Sequence, residues 1–310
     1  MLRELSNRFE GWQRIRVSVI VPTRNRKELL LGLLDNLSKC ESAKDLRLIV
    51  VDSSDETVAL PMKYPFELLH IQTKIKSAAS QRNIGLEVLT RTSSKKTDLV
   101  AFLDDDVRVK QDYFSLMEIV FSELPEAVGI SGVTGAIARP KLSMFKKFFG
   151  IYGEPGMISR GGVNVPVEIS NRSQNYIETN WLIGCSVWKY ECIKEIRFES
   201  DFQGQSLFED VIFSHRVSKL GKLYVSKSIK IEHLHSTIGR PDSFSHSFYW
   251  IKNRHRLFEL YPEDFSLRNY WFANFGKLVF ECLVFLKNPK RARMQSIIAI
   301  VTGAFEVIRK

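Results

Sequence analysis

Three consecutive carboxylates, Asp104, Asp105 and Asp106, follow the apolar run Leu99–Leu103. Carboxylates packed at one strand end repel one another unless a cation or hydrogen-bond donors compensate for their charge. Mg²⁺ and Mn²⁺ prefer hard oxygen ligands, and Mg²⁺ is commonly held by one or two carboxylates together with phosphate oxygens. The triplet therefore predicts a divalent metal site, and the alternative is a solvated acidic turn.

A second acidic pair, Glu209 and Asp210, lies at the start of a helical periodicity. A carboxylate within hydrogen-bonding distance of a sugar hydroxyl can act as a general base. The alternative is structural, because acidic residues in the first turn of a helix are stabilised by its dipole.

Two further groups have side chains suited to a phosphate or a metal. The segment Ser77–Gly85 opens a helix with small residues and then presents Arg82 and Asn83, an arrangement that lets a phosphate or nucleotide approach closely. His233 and His235 end a strand-like segment and lie on the same side of it, because they are two residues apart. The structural alternatives are a solvated arginine, a glycine that allows close helix packing, and a strand-end histidine without a ligand.

The elements that position these residues follow from the hydrophobic pattern. From residue 17 to about residue 133, short β-branched runs alternate with helical stretches, which is typical of βαβ units in a mostly parallel sheet. The predicted strands are Val17–Val21, Leu46–Val51, Phe66–Ile71 and Leu99–Leu103. The predicted helices are Arg26–Lys39, Ala78–Leu89 and Gln111–Leu124. Residues 139–178 are expected to leave the sheet, and the chain after residue 241 is expected to be helical.

Polar residues directly follow three of the four predicted strands. Pro22, Thr23 and Arg24 follow the first strand, Asp52 follows the second, and Asp104 follows the fourth. In open α/β sheets, ligands bind outside the carboxyl ends of the strands. We therefore expect these loops to converge on one site.

Composition and motifs exclude several classes of protein. The 310 residues are 44% hydrophobic and 26% charged, as in globular proteins, and the net charge of +10 favours phosphates, nucleic acids or anionic lipids as partners. No phosphate-loop, dinucleotide, zinc-protease or hydrolase-elbow motif is present, and no nucleic-acid recognition motif supports a nucleic-acid partner. The four cysteines form no CxxC pair, and the charged first residues contain no secretory signal, so we expect a cytoplasmic protein.

Five segments, read together, resemble the ordered motifs of family 2 glycosyltransferases over roughly residues 15–235. They are Val17–Asn25, Val50–Asp55, Ala79–Gly85, Phe102–Asp106 and the pair Glu209-Asp210. The resemblance implies the GT-A fold, a Rossmann-like α/β fold whose mostly parallel sheet is flanked by helices. It also implies a nucleoside-diphosphate-sugar donor and inversion at the anomeric carbon.

The resemblance implies a role for each matching residue of the first half. The residues implied to contact the nucleotide sugar are Pro22, Thr23, Arg24, Asp52, Arg82, Asp104 and Asp105. Among them, Asp52 is expected to bind the base and Arg82 to lie near the base or the diphosphate. Asp106 is implied to ligate the metal, Mn²⁺ or Mg²⁺, together with Asp104.

The second half carries the remaining roles. Asp210 matches the catalytic base of the family, and Glu209 is expected to orient it or to shape the acceptor site. His233 is preferred over His235 as a further contact to the metal or diphosphate. Trp181 precedes the acidic pair where related enzymes form the acceptor floor, and the alternative is a core tryptophan.

The C-terminal section resembles the helical tail of bacterial family members that build surface polysaccharides. Residues 240–310 contain 12 basic and 6 acidic residues, with Trp250 and Trp271 interleaved, which suits an anionic membrane surface. The segment Lys146–Phe149 is a candidate second contact. The alternative is a helical cap on the sheet with solvated charges.

The expected protein is a metal-dependent, inverting glycosyltransferase that acts on a saccharide or lipid-linked acceptor, in the cytoplasm or on the cytoplasmic face of a membrane. Its expected organisation is a GT-A domain over residues 1–240, with a nucleotide-sugar half at about 15–135 and an acceptor half at about 136–240, followed by a helical extension over residues 241–310. The residues do not distinguish UDP, GDP and dTDP sugars. The alternatives are an inactive GT-A scaffold that binds membrane or partner proteins, and a sugar-phosphate nucleotidylyltransferase, whose glycine-rich first loop is absent here.

Overall fold

The computed structural model describes residues 16–60, 63–92, 97–134, 144–167, 174–202, 207–234 and 242–309. Within these ranges the chain forms one mixed sheet flanked by helices. The strands are β1 (Val17–Thr23), β2 (Arg47–Asp52), β3 (Glu67–Gln72), β4 (Leu99–Phe102), β5 (Val107–Val109), β6 (Ala127–Thr134), β7 (Tyr176–Thr179), β8 (Ser186–Lys189) and β9 (Lys222–His233). Their order is β3-β2-β1-β4-β8-β6-β9-β5, and β7 also pairs with β9.

The helices of the described ranges are α1 (Lys27–Ser38), α2 (Ala78–Arg91), α3 (Tyr113–Glu123), α4 (Met144–Phe148), α5 (Tyr190–Ile193), α6 (Glu209–Ser218), α7 (Ser243–Leu260), α8 (Leu267–Lys287) and α9 (Arg291–Ile308). The three helices predicted in the first half correspond to α1, α2 and α3. The helical section predicted after residue 241 corresponds to α7, α8 and α9.

Strands β1 to β4 form the parallel half of the sheet, and all four were predicted. β1 lies between β2 and β4 and runs parallel to both. Side chains alternate between two cores because both faces of these strands are covered: Val19 and Val21 pack with α1 and α3, whereas Ile20 packs with α2 and α6. This double burial explains the continuous apolar runs in the sequence.

The other half of the sheet departs from the mostly parallel arrangement that the sequence predicted. β8 runs antiparallel to both β4 and β6, and β9 runs parallel to β6 but antiparallel to β5 and β7. The three-residue strand β5 was not predicted. A run this short carries no periodicity of its own, and its pairing is set by the distant strand β9.

The C-terminal helices share a core with the rest of the protein. Ile251 and Phe258 of α7, and Tyr270 of α8, are buried together with Val211 and Ile212 of α6. The domain boundary expected at residue 240 stays a prediction. Helix α6 before it packs against α7 and α8 after it. Among the described helices, none combines the length and the hydropathy needed to cross a membrane.

Helix α2 lies unusually close to β1 because it carries a glycine at the contact. A β-carbon placed on Gly85 would lie 2.5 Å from Cγ2 of Ile20, a side chain that is itself fully buried. This confirms the packing alternative for the glycine of the Ser77–Gly85 segment. The approach fixes the height of α2 over the sheet and therefore the position of its polar residues.

We expect Gly85→Ala to lower the free energy of unfolding by about 1–3 kcal/mol, because the added methyl group overpacks the β1 contact. Urea denaturation followed by circular dichroism measures the change. Glu87→Ala, at an exposed position of the same helix, is the control and should change stability little. An unchanged midpoint for Gly85→Ala would contradict the close packing.

Candidate active site

The carboxyl ends of β1, β2 and β4 lie side by side, as predicted. The parallel register pairs Thr23 with Asp52, and the backbone N–H of Leu103 donates to the carbonyl of Ile20. The loops that follow the three strands therefore open at the same edge of the sheet.

Asn25 joins the first two of these loops. Its backbone N–H donates to Oγ of Ser54 at 2.8 Å, its side-chain amide donates to the Asp55 carboxylate at 2.8 Å, and its Oδ1 accepts from the Asp55 backbone N–H. Asn25 has a φ of 54°, a left-handed conformation that asparagine adopts more readily than most residues. The turn leaves Arg24 exposed at the edge of the site.

Asp52 is fully buried at the end of β2. Its Oδ2 lies 3.2 Å from Nε2 of His70 and accepts from the Gln72 amide at 3.0 Å, and its Oδ1 accepts from the Ser54 backbone. A direct contact between Asp52 and a nucleoside base stays a prediction. The side chains of His70 and Gln72, which extend from Asp52 towards the surface on β3, were not singled out from the sequence.

Asp104, Asp106 and His233 form a cluster with the donor set of a divalent metal site. One ligand atom from each lies within 4.8 Å of the others. The pairing of β5 with β9 brings them together, because Val107 is opposite His233 and the Leu234 N–H donates to the Asp106 carbonyl. Two carboxylates and an imidazole suit Mn²⁺, and the carboxylates suit Mg²⁺. His235 lies outside the described residues.

Asp105 is directed away from this cluster. It is buried, and its carboxylate accepts from the Thr23 hydroxyl at 2.7 Å and from Arg26 at 2.9 Å. Burial raises the pKa of Asp105, and the contacts with Thr23 and Arg26 lower it. The result is a pKa of about 6. Arg26 also lies 3.7 Å from the carboxylate of Asp106. Contacts of the buried residues Pro22, Thr23 and Asp105 with a nucleotide stay predictions.

Arg82 is a buried cation that connects the two acidic motifs. Its Nη2 donates to Asp104 at 2.8 Å, and its Nη1 donates to Glu209. The guanidinium also lies 5.5 Å from the centre of the Phe198 ring. The two carboxylates raise the pKa of Arg82 against the effect of burial, so the arginine is charged at all relevant pH values. The predicted contact of Arg82 with a base or diphosphate stays a prediction.

Glu209 and Asp210 begin helix α6 after a bulky residue in a left-handed conformation. Phe208 has a φ of 73°, which is rare for an aromatic residue, and its side chain is buried 6.4 Å from the Trp250 ring. Asp210 is half-buried and accepts from the Val211 N–H at 2.9 Å. Burial raises the pKa of Glu209 to about 7 and that of Asp210 to about 6, although Arg82 lowers both.

The geometry places a divalent-metal donor set, a buried arginine and a carboxylate of raised pKa at one edge of an α/β sheet. A family model described as Glycosyl transferase family 2 matches residues 18–148, which include the first four of the five sequence motifs apart from Val17. The match identifies residues 18–148 as a family 2 glycosyltransferase segment.

A curated relative and two solved structures resemble this glycosyltransferase. A protein of Haemophilus influenzae described as an uncharacterized glycosyltransferase is 38% identical over 91 residues, a segment that spans 29% of this chain and 29% of the relative. The mannosyltransferase PcManGT from Pyrobaculum calidifontis, solved with GDP-Man and Mn²⁺, aligns with a TM-score of 0.58 and 15% identity over 99% of this chain and 93% of that one. Residues 1–349 of S. aureus TarS align with a TM-score of 0.54 and 15% identity over 93% and 81%. The two structures confirm the GT-A fold.

Two residues of α2 organise the candidate site through backbone contacts that the sequence did not predict. Gln81 donates to the carbonyls of Thr23 and Val51, and Asn83 exchanges two hydrogen bonds with the backbone of Phe198. Both residues lie in the Ser77–Gly85 motif, in which Asn83 was expected to face a phosphate or nucleotide and Gln81 had no predicted role.

Trp181 belongs to the core that the C-terminal helices share with α6. Its side chain is buried with α6, α7 and α8, and its indole N–H donates to the Val165 carbonyl at 3.0 Å. A contact with an acceptor stays a prediction. A separate groove of about 630 Å³ lies between α4 and the segment 152–160, and its lining includes none of the predicted site residues.

We expect Arg82→Met to lower the free energy of unfolding by about 3–5 kcal/mol, because it leaves two carboxylates without their shared cation. Urea denaturation measures the loss. The deficit should be smaller at about pH 5 than at about pH 8, because protonation relieves the unpaired carboxylates.

Arg91→Met, at the exposed end of the same helix, removes an i,i+4 pair with Glu87 and is the matched control. Its effect should stay within about 0.5 kcal/mol. Equal effects of the two substitutions would show that the buried ion pairs are not important for stability.

Proposed function

We propose that this chain is a metal-dependent, inverting glycosyltransferase that moves a sugar from a nucleoside diphosphate to the hydroxyl of a saccharide or lipid-linked acceptor. The observation that carries the proposal is the juxtaposition of two acidic groups. Asp104 of the metal-type cluster and Glu209, next to Asp210, are bound to the same arginine.

The cluster of Asp104, Asp106 and His233 supports metal-dependent donor binding. Its oxygen and imidazole donors fit Mn²⁺ and Mg²⁺, and a structural neighbour was solved with GDP-Man and Mn²⁺. The ion, when bound, would neutralise negative charge that develops on the departing diphosphate. Arg24, exposed at the same edge, is available for the nucleotide phosphates or base.

Asp210 is the proposed general base. Its raised pKa makes it a better proton acceptor than an exposed aspartate, yet at neutral pH most of it is ionised. Glu209 cannot take this role equally well, because one of its oxygens is already bound by Arg82. We assign Glu209 to positioning the start of α6.

The proposed chemical step is a single displacement. Asp210 accepts the proton of the acceptor hydroxyl as its oxygen attacks the anomeric carbon from the face opposite the diphosphate. The bond between the anomeric carbon and the diphosphate oxygen breaks, and its electron pair leaves with the nucleoside diphosphate. The configuration at the anomeric carbon is therefore inverted.

We expect one of UDP, GDP and dTDP to raise the melting temperature only when Mn²⁺ is present. A ligand at about 100 times its dissociation constant stabilises the native state by about 2.7 kcal/mol, which a thermal-shift measurement detects. Asp106→Ala and, separately, Asp104→Asn should abolish the metal-dependent shift.

Asp35→Ala is the control for these variants, because Asp35 is an exposed aspartate on α1. It should keep the full shift. A nucleotide shift that is independent of Mn²⁺, or that survives in both cluster variants, would remove the cluster from the metal shell.

We expect Asp210→Asn to reduce kcat by two or more orders of magnitude, the contribution of a general base, while donor affinity stays near that of the unaltered protein. In the unaltered protein, kcat/KM should rise with pH through about 6 and then level off, because the reaction needs the ionised carboxylate of Asp210. The acidic limb should disappear in the variant.

Asp35→Asn makes the same isosteric change at an exposed site and should leave the pH profile unchanged. Turnover of Asp210→Asn within a few-fold of normal would assign the base to another group. Donor binding without turnover in the unaltered chain would favour an inactive scaffold.

A further inference from the structure

Helix α9 has two apolar faces, and only one of them is covered by the described residues. Ala299, Ile300, Gly303 and Val307 form the covered face, which packs on α7. A β-carbon on Gly303 would lie 3.1 Å from Cβ of Ile251, so the two helices are in close contact. This face attaches α9 to α7, and α9 also contacts α8.

The second face is a row of exposed apolar side chains, which we name the α9 stripe. It consists of Met294, Ile298, Val301, Phe305 and Ile308, whose spacing alternates between four and three residues. At 3.6 residues per turn the row covers about 80° of the helix and lies opposite the covered face. Its members are 39–68% exposed. Single exposed apolar residues are common, but a continuous row marks an interaction surface.

The end of α8 also carries exposed apolar side chains. Leu283 and Leu286 are exposed there, close to the start of α9 in the helical hairpin. Arg293 of α9 pairs with the buried Glu281 of α8 at 2.7 Å and holds the two helices together at this end. Two helices that are paired with each other therefore both carry exposed apolar side chains.

The charges around this surface are mostly basic, and Glu306 near the end of α9 is the one acidic residue of that helix. No acidic residue occurs between positions 281 and 306, whereas Lys287, Lys290 and Arg291 are exposed at the start of α9. Arg309 is exposed at the opposite end. An apolar row flanked by cations is complementary to a layer of anionic headgroups over hydrocarbon.

We propose that the α9 stripe docks on an anionic lipid bilayer, with α9 parallel to the membrane plane and its side chains between the headgroups. A second copy of the chain fits this surface less well. Parallel pairing would bring the basic starts of α9 together, and antiparallel pairing would offer the three cations at each start only one carboxylate, Glu306, which lies beside Arg309. The inference concerns binding alone and does not depend on the proposed transfer reaction.

The test is co-sedimentation of the full chain with vesicles of phosphatidylcholine alone and of phosphatidylcholine with one third phosphatidylglycerol. We expect binding to the mixed vesicles that falls with added salt. The triple variant Ile298→Ser, Val301→Ser, Phe305→Ser should lower the affinity for these vesicles at least tenfold. Its melting temperature should change little, because the three side chains are exposed.

A second triple variant, Lys287→Gln, Lys290→Gln, Arg291→Gln, tests the electrostatic part. Each well-placed cation contributes about fivefold to affinity for an anionic surface, so the loss should exceed tenfold at low salt and shrink at high salt. This variant keeps the apolar stripe and therefore separates charge from apolar burial.

Two controls make the same changes elsewhere. Leu220→Ser removes an apolar side chain that is 58% exposed, as is Phe305, but lies outside α8 and α9. Lys39→Gln, Lys44→Gln, Lys222→Gln removes three exposed lysines of the sheet domain. Both controls, and the turnover variant Asp210→Asn, should bind mixed vesicles as the unaltered chain does.

Three results would overturn the proposal. They are no binding to mixed vesicles, undiminished binding of the stripe variant, and equal loss in the Leu220→Ser control. Light scattering of the lipid-free protein tests for the competing occupant, a second copy of the chain. If the unaltered chain is a dimer that does not bind vesicles, and the stripe variant is a monomer, the surface belongs to a second copy. Because nucleotide shift and turnover are measured without vesicles, failure here is distinct from failure of the proposed transfer reaction.

Discussion

The buried guanidinium of Arg82 is the constraint on which the two halves of the site depend. A charged side chain removed from water is tolerated only when opposite charges and hydrogen bonds compensate for the lost hydration. The compensation here comes from Asp104 at the end of β4 and from Glu209 at the start of α6. These two carboxylates are 105 residues apart in sequence. The start of α6 is therefore held by the same cation that restrains one carboxylate of the metal-type cluster, and a single side chain links the cluster to the helix end that carries Asp210.

The polar side chains of α2, the helix that carries Arg82, hold the neighbouring segments of the site in place. Ser77 accepts the Ser80 N–H at the start of α2 and donates to the Phe202 carbonyl, while Gln81 binds the carbonyl ends of β1 and β2. Asn83 holds the backbone of Phe198, and Gly85 allows the helix to approach β1. Successive polar residues thus fix the strand ends below the helix and the segment 198–202 beside it. A substitution in this motif would displace the site even where no substrate is touched.

The sequence allowed the prediction of features that have local or periodic causes. The four parallel strands follow from apolar runs buried on both faces, and the convergence of Thr23, Asp52 and Asp104 follows from the direction of those strands. The direction of each carboxylate in the triplet was not predictable, because a turn of two residues decides that Asp105 points to Arg26 while Asp104 and Asp106 lie near His233. The antiparallel half was missed for a related reason: the partner of β5 is more than a hundred residues away.

The C-terminal helices connect the α9 stripe, through direct contacts, to the start of α6 in the candidate site. Asn253 of α7 donates to the Leu207 carbonyl, Trp250 packs near Phe208, and Asp264 lies 2.9 Å from Nε2 of His215 on α6. The left-handed residue Phe208 needs such support, because its conformation is unfavourable for an aromatic side chain. The covered face of α9 packs on the same helix α7 that makes two of these contacts. A bilayer bound at the stripe would therefore hold Asp210 at a fixed height and orientation above the membrane. An acceptor whose hydroxyl is presented at that height would meet Asp210, the proposed base, without any rearrangement of the helices, whereas an acceptor free in solution would gain nothing from the stripe.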